Sequence, residues 1–270
     1  MDRPAALDPA PADGRRDDLV SELVRPLVSR PHATQRLFCF PYAGGGISVF
    51  RGWAAALPDE VEPWAIQLPG REDRIGTPPF QRMSDVLNAL VPAIIPRLDR
   101  PFAFFGHSMG AVVALELART LGRLESGSPE WLFVSGRVPP QAMEAADPPL
   151  HQRSDAELVE LLRSWRATPE AVLADRELMA LLLPVVRADL AVIETHTFTG
   201  GAPLGCPITA FGGTEDNAAP SVLERWGELT DNRFDLRMFP GGHFFVNSAR
   251  EAVVAAVAAG LVQAAAARVG

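Results

Sequence analysis

Ser108 stands in Gly106-His107-Ser108-Met109-Gly110, a G-x-S-x-G pattern. The apolar run Phe102 to Phe105 precedes it and the almost wholly apolar run Ala111 to Leu121 follows, so the motif lies between an expected strand and an expected helix. In that setting the glycines permit a sharp, strained turn that lifts the hydroxyl above the carboxyl end of a sheet. The helix N-terminus behind it offers an N–H group and a positive dipole end to an oxyanion. A serine hydroxyl attacks a carbonyl carbon only when a base takes its proton, and that base must itself be oriented by a carboxylate. Two other loops carry such groups. Phe211-Gly212-Gly213-Thr214-Glu215-Asp216 continues a strand expected from Pro207, and Pro240-Gly241-Gly242-His243 follows one expected over Phe234 to Phe239. The candidate catalytic residues are therefore Ser108, Asp216 and His243, and the chemistry is acyl transfer through a covalent serine intermediate.

Rival side chains fit less well. Glu215 adjoins Asp216 and Asp235 begins a strand, but a short carboxylate beyond the glycine pair suits a tight loop better. His107 lies inside the turn and should point away from Ser108, while His32, His151 and His196 follow no expected strand. An oxyanion hole needs two N–H donors. The residue after the nucleophile, Met109, supplies one, and the glycine-rich loop Tyr42 to Gly46 supplies the other, with Ala43 preferred and Tyr42 or Gly44 as neighbouring alternatives. No histidine pair has zinc-binding spacing, so no metal is expected, and the chemistry requires no cofactor.

These loops need a frame that brings them together. Strands are expected at Arg36 to Phe40, Pro63 to Leu68, Phe102 to Phe105, Trp131 to Ser135, Pro207 to Phe211 and Phe234 to Phe239. Helices alternate with them over Ser48 to Leu57, Ser84 to Leu98, Ala111 to Leu121 and Pro220 to Leu229, with a last one from Ala249. Alternation of this kind gives an α/β fold with a mostly parallel central sheet and helices on both faces, and loops at the carboxyl ends of such a sheet converge on one crevice. Between residues 137 and 198 no strand is expected. That stretch reads as a helical lid insertion, with helices over Asp155 to Trp165, Pro169 to Ala174 and Arg176 to Glu194, capped by Ser154, Thr168 and Asp175. Its apolar stripes, Leu158-Leu161-Leu162-Trp165 and Leu178-Leu181-Leu182-Val185, suit either core packing or a substrate-facing wall. Residues 1–34 read as an arm with one short amphipathic turn over Leu19 to Val28, and residues 35–270 as a single domain.

Composition narrows the field. The 270 residues are 47% hydrophobic and 21% charged, enough for a large core. A net charge of −8 argues against nucleic acid as a partner. No uninterrupted apolar run reaches membrane-spanning length, and the N-terminal stretch has no secretion-signal pattern, so no membrane partner is expected and a cytoplasmic location is. Cys39 and Cys206 sit in apolar runs and are expected as buried, reduced thiols.

FPYAGG at Phe40 to Gly45, QLPGRE at Gln67 to Glu72, GHSMGA at Gly106 to Ala111, SGR at Ser135 to Arg137, ELMALLLPVVRADLAVIE at Glu177 to Glu194, FGGTED at Phe211 to Asp216 and FPGGHFF at Phe239 to Phe245 together resemble the type II thioesterases of polyketide and nonribosomal peptide synthesis. The resemblance covers roughly residues 36 to 248. It implies the α/β-hydrolase fold, whose Ser-Asp-His chain order this sequence has, and carries the triad onto Ser108, Asp216 and His243. It also implies hydrolysis of stalled or aberrant acyl groups from the phosphopantetheine arm of acyl or peptidyl carrier proteins. The run Thr195-His196-Thr197-Phe198 departs from the tyrosine-containing run more usual in that family.

Two other functions compete: a general carboxylesterase or lipase of the same fold, and a catalytically silent binding module. The loop reads Tyr-Ala-Gly-Gly-Gly where many esterases have HGGG, and the complete triad opposes silence. The chain has no Asp-Ser dipeptide to bear a phosphopantetheine, so the carrier is expected in trans. For docking to an acidic carrier, Arg71, Arg74 and Arg82 are the expected rim cations, and Arg153, Arg163, Arg166 and Arg187 those of the lid.

Overall fold

A computed structural model describes residues 22–165 and 168–268. Its frame is a seven-stranded sheet in the order β1-β3-β2-β4-β5-β6-β7. The strands are β1 (Val24–Pro26), β2 (Gln35–Phe40), β3 (Val61–Ile66), β4 (Phe102–His107), β5 (Leu132–Ser135), β6 (Ile208–Gly213) and β7 (Phe234–Phe239). All neighbours pair in parallel except β1, which pairs antiparallel with β3 through Val24 and Ile66. β1 falls within the segment expected as an arm with an amphipathic turn. Three residues are too few to show a strand period, and only the free edge of β3 makes them one; the residues before 22 lie outside the described part.

The helices are α1 (Trp53–Ala56), α2 (Met83–Ile94), α3 (Met109–Arg123), α4 (Asp155–Ser164), α5 (Glu170–Leu173), α6 (Arg176–Glu194), α7 (Pro220–Leu223), α8 (Phe245–Ser248) and α9 (Arg250–Ala267). The strands are covered on both faces, so their side chains are apolar at successive positions. In β2 and β4, Phe38, Phe40, Phe102 and Phe104 face α2, α3 and the insertion, while Leu37, Cys39, Ala103 and Phe105 face α1 and α9. Among the described residues α9 is the one helix long and apolar enough to cross a membrane, and one of its faces, Val253, Val254, Val257 and Leu261, is buried in the core cluster with Phe105 and Phe133 of the sheet.

The helix expected over Ser48 to Leu57 is broken. A 3-10 turn, Ile47–Phe50, and the four-residue α1 are separated by Gly52 at φ 84°, a left-handed conformation that ends regular winding. Pro220 to Leu229 likewise begins as α7 and tightens into a 3-10 segment from Glu224. In the insertion, Ser154 forms a capping box with Glu157, and Asp175 accepts hydrogen bonds from the Glu177 and Leu178 N–H groups. Thr168 does not cap α5; Pro169 holds the N-cap position, with no side-chain bond. The inner face of α6 is Met179, Leu183, Val186, Leu190 and Ile193, spaced four and three residues apart, and all are buried. The stripe Leu178-Leu181-Leu182 lies on another face.

Candidate active site

The chain runs from β2 outward to β3 and then returns to β4 and builds in the opposite direction, so the order reverses between β2 and β4. Loops leaving the carboxyl ends of those two strands splay apart and leave a crevice. Ser108 follows β4 and the Tyr42 to Gly46 loop follows β2. Ser108 has φ 55° and ψ −113°, a conformation rarely tolerated by a residue with a Cβ atom, and its N–H donates to the Ser135 carbonyl at 2.8 Å. Both flanking glycines are obligatory. A Cβ on Gly106 would sit 2.2 Å from the Gly110 carbonyl oxygen, and one on Gly110 would sit 2.1 Å from that of Phe40.

The sheet brings the three distant loops into one line. His243 Nε2 lies 3.1 Å from Ser108 Oγ, and His243 Nδ1 lies 3.0 Å from Asp216 Oδ2. The loops carrying Asp216 and His243 are tied to each other through the backbone: Thr214 N–H donates to the Phe239 carbonyl at 2.8 Å and Glu215 N–H to that of Gly241 at 2.9 Å. Burial by itself would raise the Asp216 pKa, but the hydrogen bond from His243, the imidazole charge and the Asn217 N–H at 2.8 Å outweigh it, and the carboxyl is held below its ordinary value. Glu215 is exposed and outside this line, and Asp235 pairs with Arg237. His107 is fully buried beneath the turn, with Nδ1 2.9 Å from Ser135 Oγ, and desolvation pushes its pKa well down. His151 pairs with Glu194 and His196 approaches Glu116, while His32 is exposed.

Two backbone N–H groups beside Ser108, those of Ala43 and Met109, make no hydrogen bond among the described residues, and Ala43 lines the cavity that holds Ser108. The Gly44 N–H is already engaged, donating to Asp189 Oδ2 at 2.7 Å. Asp189 comes from the middle of α6. Arg71 Nη1 and Nη2 donate to its two oxygens at 2.7 and 2.8 Å, and Nη1 also reaches the Gly45 carbonyl at 3.1 Å. This forked pair is sealed, with side chains 4% and 2% exposed. Arg71 and Arg74, expected on a docking rim, are both buried. Arg187 is bound to Asp155 and to two insertion carbonyls, Arg163 to Glu160 and Glu170, and Arg166 lies outside the described residues.

Residues 35–261 match the Thioesterase domain family. The chain belongs to that family. Its relatives include the gramicidin S biosynthesis protein GrsT of Aneurinibacillus migulanus, 45% identical over 215 residues that span 79% of this chain and 84% of GrsT. Among solved structures it is similar to BorB, a type II thioesterase from the borrelidin biosynthetic cluster, at TM-score 0.80 and 37% identity, covering 87% of this chain and 96% of BorB. It is also similar to ClbQ from the colibactin NRPS/PKS pathway, at TM-score 0.82 and 29% identity, covering 87% of this chain and 100% of ClbQ. The family match, residues 35–261, spans β2 to β7 of the α/β-hydrolase fold and the insertion between β5 and β6.

In this thioesterase Ser108, Asp216 and His243 open into a cavity of about 290 Å³. A second cavity of about 400 Å³ adjoins it, and Tyr42, Ala43, Trp165 and Phe244 line both. The second is walled by the glycine loop and by Leu178, Leu181, Leu182 and Val185 of α6. That stripe is therefore a cavity wall, and Leu178 and Leu181 stay 45% and 53% exposed. Trp165 lies with its ring centroid 5.9 Å from that of His243, and Phe244 at 5.0 Å. Sequence pattern places Trp165 only within an apolar stripe and gives Asp189 no role of its own. An acid in the middle of an otherwise apolar helical run is the signal that could have exposed Asp189, because a carboxylate at a core position needs a cation.

Proposed function

We propose that this type II thioesterase hydrolyses acyl thioesters on the phosphopantetheine arm of carrier proteins supplied in trans, clearing aberrant or stalled acyl groups from polyketide or nonribosomal peptide assembly lines. Membership of the thioesterase family and the pathways named for GrsT and ClbQ support it. The observation that carries the mechanism is the unbroken line from Asp216 through His243 to Ser108.

His243 Nε2 takes the Ser108 proton as Oγ attacks the thioester carbonyl carbon, and Asp216 orients the ring through Nδ1 and balances its positive charge. The tetrahedral oxyanion accepts hydrogen bonds from the Ala43 and Met109 N–H groups. Collapse breaks the carbon–sulfur bond, and His243 returns its proton to sulfur. A thiol leaves readily, with a pKa of about 8.5, so no stronger acid is needed. Water, deprotonated by the same imidazole, attacks the acyl-serine, and the carboxylic acid departs as Ser108 regains its proton. Nothing in this sequence of steps calls on a cofactor. Buried Cys39 and Cys206, the latter pushed up to about 12 by desolvation, fit a cytoplasmic site of action.

The test compares one acyl group as its pantetheine thioester, its carrier-bound thioester and its oxygen ester. Higher kcat/KM for both thioesters supports the proposal. An oxygen ester hydrolysed at least as well would make the protein a general esterase.

A further inference from the structure

Arg137 is the cation of the catalytic chamber, and the mechanism does not use it. It follows β5 by two residues, and with Leu150, Ile193 and Glu194 it lines both the cavity of Ser108 and a third cavity of about 310 Å³ beyond. Its Nε is buried with no hydrogen-bond partner, Nη2 has only the weak acceptor Met143 Sδ at 3.3 Å, and Nη1 makes no hydrogen bond among the described residues. A guanidinium stays charged and has five N–H donors, so leaving them unused next to a cavity costs free energy that a ligand oxygen would recover.

The one carboxylate that acts on it is Glu194, whose attraction opposes the downward push of burial on Arg137. The two form no ion pair. Glu194 instead accepts from the Leu150 N–H at 2.8 Å, the His151 N–H at 2.9 Å and His151 Nδ1 at 2.7 Å. The chamber thus presents free donors with a fixed anion close by. A carboxylate ligand would meet Glu194 as a like charge, whereas a neutral oxygen takes the hydrogen bonds without that repulsion.

We infer that Arg137 is a specificity-determining residue that donates hydrogen bonds to an uncharged oxygen on the acyl group, such as a hydroxyl, ketone or amide carbonyl, favouring oxygenated over plain alkyl chains. The inference rests on the thioesterase reading of Ser108. A site that hydrogen-bonds a substrate oxygen rejects the analogue lacking it, because the donors are left unpaired.

The experiment measures kcat/KM of the full chain for butanoyl-, 3-hydroxybutanoyl- and succinyl-pantetheine, then repeats it with Arg137→Met and Arg137→Gln, with folding checked by thermal melting. Wild type should prefer 3-hydroxybutanoyl over butanoyl by about tenfold, the size of one hydrogen bond from a charged donor. Both substitutions should collapse that ratio towards one. No preference in the wild type overturns the inference without recourse to any variant, as does a ratio unchanged by substitution. A wild-type preference for succinyl would make Arg137 a carboxylate reader and overturn it too. Failure to hydrolyse any of the three thioesters would instead remove the thioesterase reading on which it stands.

Discussion

The floor of the active site consists of loops leaving β4, β6 and β7, and its roof is the insertion carrying α4, α5 and α6. In the floor, backbone N–H groups of the candidate catalytic residues or their neighbours bond to adjoining strands and loops, as Ser108 does to Ser135 and Glu215 to Gly241. The roof is held by side-chain pairs: Arg71 to Asp189 joins it to the loop after β3, while His151 to Glu194 and Arg187 to Asp155 bind its own segments to one another. Backbone ladders fix positions regardless of residue type, whereas side-chain ties can be broken singly. The roof is therefore expected to open more readily than the line of Asp216, His243 and Ser108 beneath it. Asp189 is the exception, since its bond to the Gly44 N–H carries the roof's position into the loop beside Ala43.

The sharpest break in the floor is Ser108→Ala. It should lower kcat by a factor on the order of 10⁶ with the melting temperature nearly unchanged. Substantial residual hydrolysis in a folded variant would dismiss Ser108 as nucleophile. Asp216→Asn should cost about 10⁴ in kcat through a misoriented His243, while Glu215→Gln remains near wild type; equal losses in the two would refute the choice of acid.

The same aspartate has a pH signature. Its folded pKa lies below the unfolded value of about 3.9, so its stabilisation is complete above that value and is lost as pH falls through the folded pKa. Denaturant titrations between pH 5 and 2 should therefore show a shallower acid loss of stability in Asp216→Asn, and identical slopes would contradict the depressed pKa.

A single tie in the roof has a smaller effect. Asp189→Ala leaves the Arg71 guanidinium buried without its counter-charge and removes the acceptor of the Gly44 N–H, and should cost about 3 kcal/mol in unfolding free energy. Because Gly44 is released as well, kcat should fall more than KM rises. A stability loss with unaltered kcat would separate the tie from the oxyanion loop. The slightest changes belong to the cavity wall: Leu178→Ser and Leu181→Ser, at exposed positions, should alter stability by no more than about 0.5 kcal/mol. Hydrogen exchange tests the comparison as a whole. Amides of α4 and α5 should exchange faster than those of β4, and equal protection would mean that roof and floor open together.

The convergence of Ser108, Asp216 and His243 was readable from the chain because each sits in a local pattern, a strand ending in a glycine turn, whose geometry is set within a few residues. The strand and helix alternation was readable for the same reason, as was the parallel sheet that makes three distant loops converge. Ser154 and Asp175 were correct as caps because a cap bonds to N–H groups two or three residues away. What the tertiary structure alone decided is everything that depends on a partner far along the chain. Arg71 looks like a surface cation until Asp189, 118 residues later, is placed against it. Val24–Pro26 becomes a strand only because β3 has an open edge, and Leu178 and Leu181 face a cavity and not the core because α6 presents Met179, Leu183 and Val186 to the core. Periodicity tells which residues share a face; which face meets the core, a cavity or an ion is fixed by the packing of elements that the local sequence does not encode.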